Sequence, residues 1–214
     1  MELIYSILLA VAAFWLGACP FALWIGKWLV HKDIRNYGDG NPGAINAFRA
    51  AGPKVGTFAL IVEIAKGVPF VAMAHLVFSL PIAAVLGIGI CAIAGHAFSP
   101  LLRLNGGKAL AVTLGVLLAL PQYDILIVMI IMALIGFLIM ESDSWAVMIA
   151  PPVTLIYLLI TKGPSWEALF IFLVLVIWTV KQLDDLRSFP RIQVKPFTWL
   201  RARKATHGSR DYKE

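Results

Sequence analysis

Apolar residues dominate the chain in seven long runs, which short polar segments separate. We predict that these runs are helices crossing a lipid bilayer, because their length and apolarity are typical of membrane spans. The predicted spans cover residues 3–25, 55–80, 81–98, 110–120, 123–140, 145–161 and 166–180. Several are shorter than the roughly 20 residues that a perpendicular helix needs, so we expect five to seven crossings. The predicted fold class is an all-α, polytopic membrane helix bundle of about seven spans.

Composition excludes an ordinary soluble domain. Sixty per cent of the 214 residues are apolar, 14% are charged, and the mean hydropathy is +0.86. Soluble domains are about a quarter charged, and a soluble chain this apolar has too little polar surface to cover its core. We predict one integral membrane bundle over residues 1–183, followed by a basic tail over residues 184–214. The two cysteines lack the spacing of metal ligands, and neither a metal nor a coenzyme is implied.

Basic residues are distributed unevenly between the polar segments. With seven spans and the N-terminus outside, the cytoplasmic segments hold 16 of the 18 Lys and Arg residues. Lys66 then lies inside a span and only Lys162 lies outside the cell. The positive-inside rule favours this orientation, with the C-terminus in the cytoplasm of a multi-pass protein of the cell membrane. A nucleic-acid partner for the basic tail is disfavoured, because the remaining chain lies in lipid.

Two polar segments have distinctive chemistry. The first polar segment covers residues 33–49. Three of its glycines, Gly38, Gly40 and Gly43, fall within six residues, where they allow tight turns that expose backbone N–H groups. Such turns form anion-binding sites, particularly beside the start of a helix. Arg49 follows, and its planar guanidinium suits a phosphate or a carboxylate. An ordinary interhelical loop explains these residues equally well when they are taken alone.

The second polar segment covers residues 95–111. Gly106, Gly107 and Lys108 precede an apolar run, so that backbone donors and a cation lie at the mouth of a helix. His96 alone is better explained as a helix-end residue bonded to a backbone carbonyl, and Lys108 equally as a positive-inside anchor. Both segments lie on the same predicted membrane face, however, and together they can converge on one phosphate-bearing ligand.

Two ionisable residues, Glu63 and Lys66, lie within a predicted span. They are three positions apart and therefore share one helical face. Charges within a span are unfavourable unless they pair or line a polar cavity. We interpret them as an ion pair that holds the bundle together, with substrate contact as the weaker alternative.

The residues of these segments resemble those of the bacterial acyl-phosphate:glycerol-3-phosphate acyltransferases of the membrane-integral PlsY type. That family's first motif is similar to D-x-R-x-x-G-S-G-N-x-G-A-T-N-x-x-R. The second is similar to G-H-x-[FY]-P-x₇-G-G-K-G-V-A-T. The matching positions are Asp33, Arg35, Gly38, Gly40, Asn41, Gly43, Ala44, Asn46, Arg49, Gly95, His96, Phe98, Gly106, Gly107 and Lys108. An acid-x-x-Lys-Gly pattern matches Glu63, Lys66 and Gly67 as well.

The chain also departs from the family pattern. Asp39 replaces a serine, Ile45 a threonine, and Ala109 the glycine after the lysine. The third motif, similar to R-H-x-E-N-I-x-R-L-x-x-G-x-E, is nearly absent. An alignment by eye places Gln182 at its histidine, Asp185 at its asparagine and Val194 at its glutamate. Asp39 puts a negative charge in a phosphate site, where it must be offset by Arg49 or Lys108, hold a cation or be protonated.

The resemblance implies acyl transfer from a fatty acyl-phosphate to the 1-hydroxyl of glycerol 3-phosphate, giving lysophosphatidate for phospholipid synthesis. It implies two substrates that carry phosphate, a bilayer that supplies the acyl chain, and a site at the cytoplasmic surface. Arg49 and Lys108 are expected to bind phosphate, and His96 to orient the loop or move a proton. With Asp39 they form the predicted catalytic set. The predicted phosphate-binding residues are Gly38, Gly40, Asn41, Gly43, Asn46, Gly106 and Gly107.

Two alternatives remain open at this point. One is a catalytically silent paralogue that binds phospholipid precursors or a partner, which the changes at Asp39, Gln182 and Asp185 favour. The other is a small transporter or channel, which is disfavoured because the polar residues cluster in loops rather than along a midplane pathway. Acyl-chain preference and oligomeric state are not assigned.

Overall fold

The computed structural model describes residues 1–187 and 191–192, and within them the chain forms a bundle of helices. The helices are α1 (Glu2–Ala18), α2 (Phe21–Val30), α3 (Ala44–Ala65), α4 (Pro69–Ala72), α5 (Ile82–Ala97), α6 (Leu110–Ala119), α7 (Tyr123–Ile139), α8 (Asp143–Met148), α9 (Ala150–Thr161) and α10 (Trp166–Leu186). Short 3₁₀ turns cover Ile34–Asn36 and Pro100–Leu102, and a π-helical turn follows α4. The predicted all-α class is confirmed.

Every predicted apolar run contains a helix. Five helical segments of the described residues are long and apolar enough to cross a bilayer: Glu2–Val30, Ala44–Val77, Ile82–Leu102, Asp143–Thr161 and Trp166–Leu186. Two further apolar helices, Leu110–Ala119 and Tyr123–Ile139, are shorter than these. A polytopic bundle therefore follows from the structure, while seven crossings stay a prediction.

The first predicted span is interrupted near its end. α1 stops at Ala18, Cys19 is extended, and α2 begins after Pro20. Proline disfavours a helical conformation in the residue before it and lacks an N–H to continue the hydrogen-bond ladder. Backbone groups at this break therefore need partners from elsewhere in the chain, and inside a bilayer water cannot supply them.

The second predicted span starts earlier than its apolar run at residue 55. α3 begins at Ala44, and its axis is interrupted at Gly52, whose φ of 77° is left-handed. Pro53 follows and starts the second part of the helix, where a missing N–H is tolerated. The end of the first polar segment is consequently helical rather than a loop, and Asn46 and Arg49 share a helix face.

The last helix extends past the predicted limit at residue 180. α10 continues to Leu186, so the positions aligned with the third family motif, 181–186, are helical. The proposed boundary between bundle and tail at residue 183 lies inside this helix. Residues 188–190 and 193–214, which include Val194 and most of the basic tail, lie outside the described part of the chain.

The core surrounds α5, which packs between α1, α6 and α10. Close approach of α1 and α5 depends on small residues: a Cβ on Gly17 would collide with the carbonyl of Ala92, and one on Gly95 with the carbonyl of Phe14. Such contacts are typical of helix packing in membranes, where van der Waals contact replaces the hydrophobic effect. Large apolar side chains on the outside of the bundle, among them Leu8, Ile61, Leu134 and Ile160, are exposed, as a lipid-facing surface requires.

A fully buried carboxylate, Glu63, binds three parts of the chain. One oxygen accepts a hydrogen bond from the Ala22 backbone N–H at 2.9 Å, where α2 begins. The other lies 2.7 Å from the Lys66 ammonium and 3.2 Å from Nδ1 of His96 on α5. Lys66 in turn donates to the Cys19 carbonyl at 2.8 Å. The predicted ion pair thus also supplies the partners that the break between α1 and α2 needs.

Further ion pairs connect helix ends at one end of the bundle. Lys162 lies 3.1 Å from Asp124 and 3.9 Å from Glu167, which joins the ends of α7, α9 and α10. Along α10, Glu167 and Asp185 are about 27 Å apart at 1.5 Å per helical residue. Lys108 of the second polar segment pairs with Asp185. The polar segments predicted to carry chemistry therefore lie at the end opposite Lys162.

We expect that Glu63→Ala destabilises the bundle by about 3–5 kcal/mol, because it leaves the buried Lys66 cation without its anion. The measurement is the free energy of unfolding in detergent micelles. Asp184→Ala is the matched control: Asp184 also pairs with a cation three positions away, Arg187, but their side chains are 90% and 80% exposed. It should change the free energy by less than about 1 kcal/mol. Equal effects of the two variants would show that Glu63 does not hold the bundle together.

Candidate active site

Local ion pairs shape the start of the first polar segment. Asp33 accepts hydrogen bonds from the backbone N–H of Arg35 at 3.0 Å and from its guanidinium at 2.6 Å. Lys27 lies 3.6 Å from the same carboxylate. The hydrogen bond from the Arg35 side chain holds the pKa of Asp33 well below its usual range. Asp33 and Arg35 thus satisfy each other and fix the turn over Ile34–Asn36.

A hydrogen-bond network built on Asp39 organises the glycine-rich turn. One Asp39 oxygen accepts from the Asn41 backbone N–H at 3.2 Å and from the Asn46 amide at 2.8 Å. Asn41 accepts from the Gly43 N–H at 3.0 Å, just before α3 begins. The Asn46 amide also donates to the Asn41 carbonyl at 2.9 Å. The side chains of Asn41 and Asn46, which we predicted to bind phosphate, are therefore engaged in holding the turn against α3.

Arg49 lies over this turn from its position on α3. Its guanidinium donates to the Asn46 side-chain oxygen at 3.2 Å. Gly38 adopts a left-handed φ of 59°, and a Cβ at this position would collide with both Arg49 and Asn46. Gly40 is also left-handed, with a φ of 74°, but a Cβ there would meet the Arg35 carbonyl only at an ordinary contact distance of 3.6 Å. Gly38 therefore serves close packing against Arg49, in addition to the turn.

The second polar segment packs onto the end of α5. The Gly107 N–H donates to the His96 carbonyl at 3.2 Å, and a Cβ on Gly107 would collide with the His96 ring. Gly106 packs equally closely on the His96 carbonyl. Both glycines are buried, so the Gly107 N–H is already used within the protein. His96 itself is buried between this turn and Glu63, and it does not line the cavity described below.

Lys108 is held from two sides by carboxylates. Its ammonium lies 2.8 Å from Asp39 and 2.7 Å from Asp185 on α10. It also approaches the Ser144 hydroxyl at 3.4 Å, and Ser144 donates to Asp185 at 2.8 Å. The first polar segment, the Gly-Gly-Lys turn, α8 and α10 thus meet at one ammonium group.

Burial and ion pairing shift the pKa values of Lys108 and Asp39 in opposite directions. Burial would lower the pKa of Lys108, but its hydrogen bonds to Asp185 and Asp39 outweigh burial and raise the pKa above its ordinary value. Burial would likewise raise the pKa of Asp39, yet hydrogen bonds from Lys108 and from the Asn41 backbone lower it. Lys108 is consequently protonated and Asp39 ionised at neutral pH.

A cavity of about 310 Å³ opens beside this cluster. Its lining combines residues of both polar segments with the α7–α8 connection and the end of α10: Asp39, Ile45, Arg49, Lys108, Ser142, Asp143, Ser144, Asp184 and Asp185. Arg49, Lys108 and Asp39, three of the four predicted catalytic residues, meet here, whereas His96 lies behind the Gly106–Gly107 turn. Among the described residues, no three His, Cys, Asp or Glu side chains are grouped as metal ligands.

Six residues of the cavity lining were not among the predicted site residues: Ile45, Ser142, Asp143, Ser144, Asp184 and Asp185. Ser144 and its neighbours form a polar run, Glu141–Ser144, between two apolar spans, which was the available signal in the sequence. Asp185 was visible only as a departure from the third motif. Ile45, beside the polar groups, has half of its surface exposed and provides an apolar side to the cavity.

The family model and the relatives that this chain resembles all belong to one family. The sequence model of the glycerol-3-phosphate acyltransferases matches residues 7–188. A glycerol-3-phosphate acyltransferase of Lactiplantibacillus plantarum is 37% identical over 150 residues, which are 70% of this chain and 72% of the relative. Glycerol-3-phosphate acyltransferase 2 of Bacillus anthracis is 36% identical over 172 residues, which are 80% of this chain and 89% of the relative.

The fold is also similar to that of a solved structure. The crystal structure of PlsY (YgiH), an integral membrane glycerol 3-phosphate acyltransferase in its glycerol 3-phosphate form, superposes with a TM-score of 0.76 at 25% sequence identity. The superposition covers 85% of this chain and 90% of the other. Both sequence and fold therefore agree with the resemblance found in the motifs.

We expect that Gly38→Ala reduces stability more than Gly40→Ala. Both variants place an alanine in the left-handed conformation, which destabilises by about 1–2 kcal/mol. Only the Gly38 variant also forces Arg49 and Asn46 to move, so it should lose at least about 1 kcal/mol more. Thermal unfolding in detergent measures the difference. A smaller loss for Gly38→Ala than for Gly40→Ala would contradict the packing of Arg49 on this turn.

Proposed function

The chain belongs to the glycerol-3-phosphate acyltransferase family of the PlsY type, and on this premise we propose that it transfers an acyl group from a fatty acyl-phosphate to the 1-hydroxyl of glycerol 3-phosphate. The ester bond to the glycerol oxygen forms as the bond from the acyl carbon to the phosphate oxygen breaks. The hydroxyl proton leaves with the phosphate, so the products are lysophosphatidate and inorganic phosphate. The observation that carries the proposal is the convergence of Arg49 and Lys108 on one cavity at the polar end of an apolar bundle.

Each side of the cavity suits one part of the substrates. Arg49 and Lys108 provide cations for phosphate groups, whereas the backbone N–H groups of Gly40, Asn41 and Gly43 already donate within the first polar segment. Ile45 and the neighbouring helix surfaces suit an acyl chain that arrives from the bilayer. Acyl-phosphates carry an activated leaving group, so positioning and charge stabilisation are the expected contributions to the rate.

His96 is assigned a positioning role in this proposal. It is buried, its Nδ1 contacts Glu63, and its ring and carbonyl support the Gly106–Gly107 turn. A direct proton transfer from a substrate in the cavity would require His96 to reach past that turn. We therefore assign to His96 the orientation of the loop that carries Lys108.

We further propose the orientation that the basic residues favour. Seven crossings with the N-terminus outside place the cavity at the cytoplasmic face of the cell membrane, and the tail over residues 184–214 becomes a basic cytoplasmic extension. In support, the four polar segments that this orientation places inside are the ones that line the cavity. A cysteine at Gly163, beside Lys162 at the opposite end, should react with an impermeant reagent added outside intact cells. Protection of that cysteine would reverse the orientation.

A catalytically silent paralogue is the second candidate. The observation that favours it is the engagement of Lys108 by Asp39 and Asp185, since a substrate phosphate must compete with these carboxylates. Gln182 at the place of the third-motif histidine is buried, which removes a titratable side chain from that position. A transporter is less well supported, because the buried ion pair Glu63–Lys66 is bonded within the bundle.

Product formation tests the proposal directly. Purified protein is given labelled glycerol 3-phosphate with palmitoyl-phosphate, palmitoyl-CoA or palmitoyl acyl carrier protein. We expect lysophosphatidate from palmitoyl-phosphate alone, since the described cavity provides phosphate donors without a recognisable adenine site. Comparable rates with palmitoyl-CoA would reject acyl-phosphate as the donor, and inactivity with all three donors would favour the silent paralogue.

We expect that Arg49→Ala and Lys108→Ala each lower activity about ten- to a hundredfold. Each variant removes a charge-assisted hydrogen bond, which contributes about 1.5–3 kcal/mol. Arg49→Lys should restore little of the activity, because a point charge does not reproduce the bidentate guanidinium. Initial rates of lysophosphatidate formation are the measurement.

Arg103→Ala is the matched control for these two variants. Arg103 lies in the same polar segment as Lys108, but its side chain is exposed and does not line the cavity. It should keep most of the activity and the same membrane insertion. If Arg49→Ala and Lys108→Ala retain as much activity as Arg103→Ala, these cations are positive-inside anchors and the assigned site is wrong.

A further inference from the structure

All three N–H donors of the Lys108 ammonium are directed at protein groups. Lysine carries three donors and no acceptor. They face the carboxylates of Asp39 and Asp185, at 2.8 and 2.7 Å, and the hydroxyl of Ser144, at 3.4 Å. A phosphate that binds Lys108 must therefore take the place of at least one of these groups.

The charges around the cavity oppose the binding of a phosphate anion. Its lining carries four aspartates, Asp39, Asp143, Asp184 and Asp185, against the two cations Arg49 and Lys108. The formal charge of the lining is therefore negative, and the carboxylates nearest Lys108 also lie nearest to a phosphate that would bind there. Like charges at such distances repel strongly when they are partly withdrawn from water.

The two carboxylates are held in place independently of each other. Asp39 is fixed by the Asn41 N–H and the Asn46 amide within the first polar segment. Asp185 is fixed by the Ser144 hydroxyl, between α8 and α10. Each carboxylate is 36% exposed, so neither is free in solvent. Both positions are neutral in the family motifs quoted above, a serine and an asparagine, and here both carry a charge that reaches the same ammonium.

We propose that Asp39 and Asp185 are specificity-determining residues that act through Lys108 and weaken the binding of a phosphate dianion to this cavity. The inference rests on the proposed function, since it concerns the phosphate-bearing acceptor of that reaction. Phosphate binding then requires exchange of a carboxylate for the phosphate on Lys108. The acceptor binds weakly as a dianion, and the Michaelis constant for it is high relative to an enzyme with neutral residues at both positions.

The direct test measures the binding of glycerol 3-phosphate by titration calorimetry in detergent micelles. Measurements at about pH 8 keep the ligand doubly charged, because the second pKa of a phosphate monoester is about 6. The proteins are the wild type, Asp39→Asn, Asp185→Asn and the double variant. Asparagine keeps the size of the side chain and an oxygen that accepts from the same donors, which preserves the turn and the contact with Ser144.

We expect each single variant to bind glycerol 3-phosphate more tightly than the wild type, and the double variant at least about tenfold more tightly. Glu141→Gln is the matched control. It removes one negative charge from the same end of the bundle, but Glu141 is exposed and does not line the cavity. Its dissociation constant should stay within about twofold of the wild type. Apparent melting temperatures confirm that every compared protein is folded.

Unchanged or weaker binding in the double variant, tightening by Glu141→Gln equal to that of the double variant, or no binding to any of the proteins would each overturn the inference. Activity separates this inference from the proposed function. Tighter binding without turnover from palmitoyl-phosphate supports the inference and rejects the function. Turnover with unchanged affinity supports the function and rejects the inference. In an active protein the Michaelis constant for glycerol 3-phosphate should fall in the double variant, whereas that for uncharged glycerol should not.

Discussion

The buried carboxylate of Glu63 connects three parts of the chain inside an apolar bundle. It accepts the Ala22 N–H at the start of α2, pairs with Lys66 on its own helix and contacts His96 on α5. A helix interrupted inside a bilayer leaves backbone groups that lipid cannot satisfy, and here Glu63 and Lys66 satisfy them. The buried ion pair therefore satisfies the break that Pro20 imposes between α1 and α2, and through His96 it links α3 to α5.

The cavity depends on this pair through His96. The ring of His96 lies between Glu63 and Gly107, and its carbonyl accepts the Gly107 N–H. Both glycines of the turn pack so closely on His96 that a side chain on either would displace it. The direction in which the next residue, Lys108, leaves the turn is fixed by this packing. Of the two roles expected for His96, orientation of the loop and proton transfer, these contacts support the first.

Two kinds of interaction lie in different parts of the molecule. Helices with exposed apolar side chains face lipid, while the polar and charged groups of the cavity lie together at one end. In those segments the cations expected to receive phosphate are already partnered: Lys108 by two aspartates, and Arg49 by Asn46. The site is therefore organised before any ligand binds, and its charge balance differs from that of a simple phosphate cradle.

The sequence by itself determined the all-α membrane class, the seven apolar runs, the family and the two glycine-rich segments that carry the cations. These are local properties, because apolarity, glycine spacing and motif residues can be counted along the chain. Helix limits were less accessible. The start of α3 at Ala44 and the extension of α10 to Leu186 lie in polar sequence, where tertiary contacts decide whether a helix continues.

Only the tertiary structure decided which charges meet. Asp39, Lys108, Ser144 and Asp185 come from four separate elements, and nothing in their spacing indicates that they share hydrogen bonds. The same holds for the contacts of Glu63 with Ala22 and His96, whereas its pairing with Lys66 followed from helical periodicity. Contacts within one helix repeat with the backbone geometry, but contacts between helices depend on how small residues such as Gly17 and Gly95 let those helices approach.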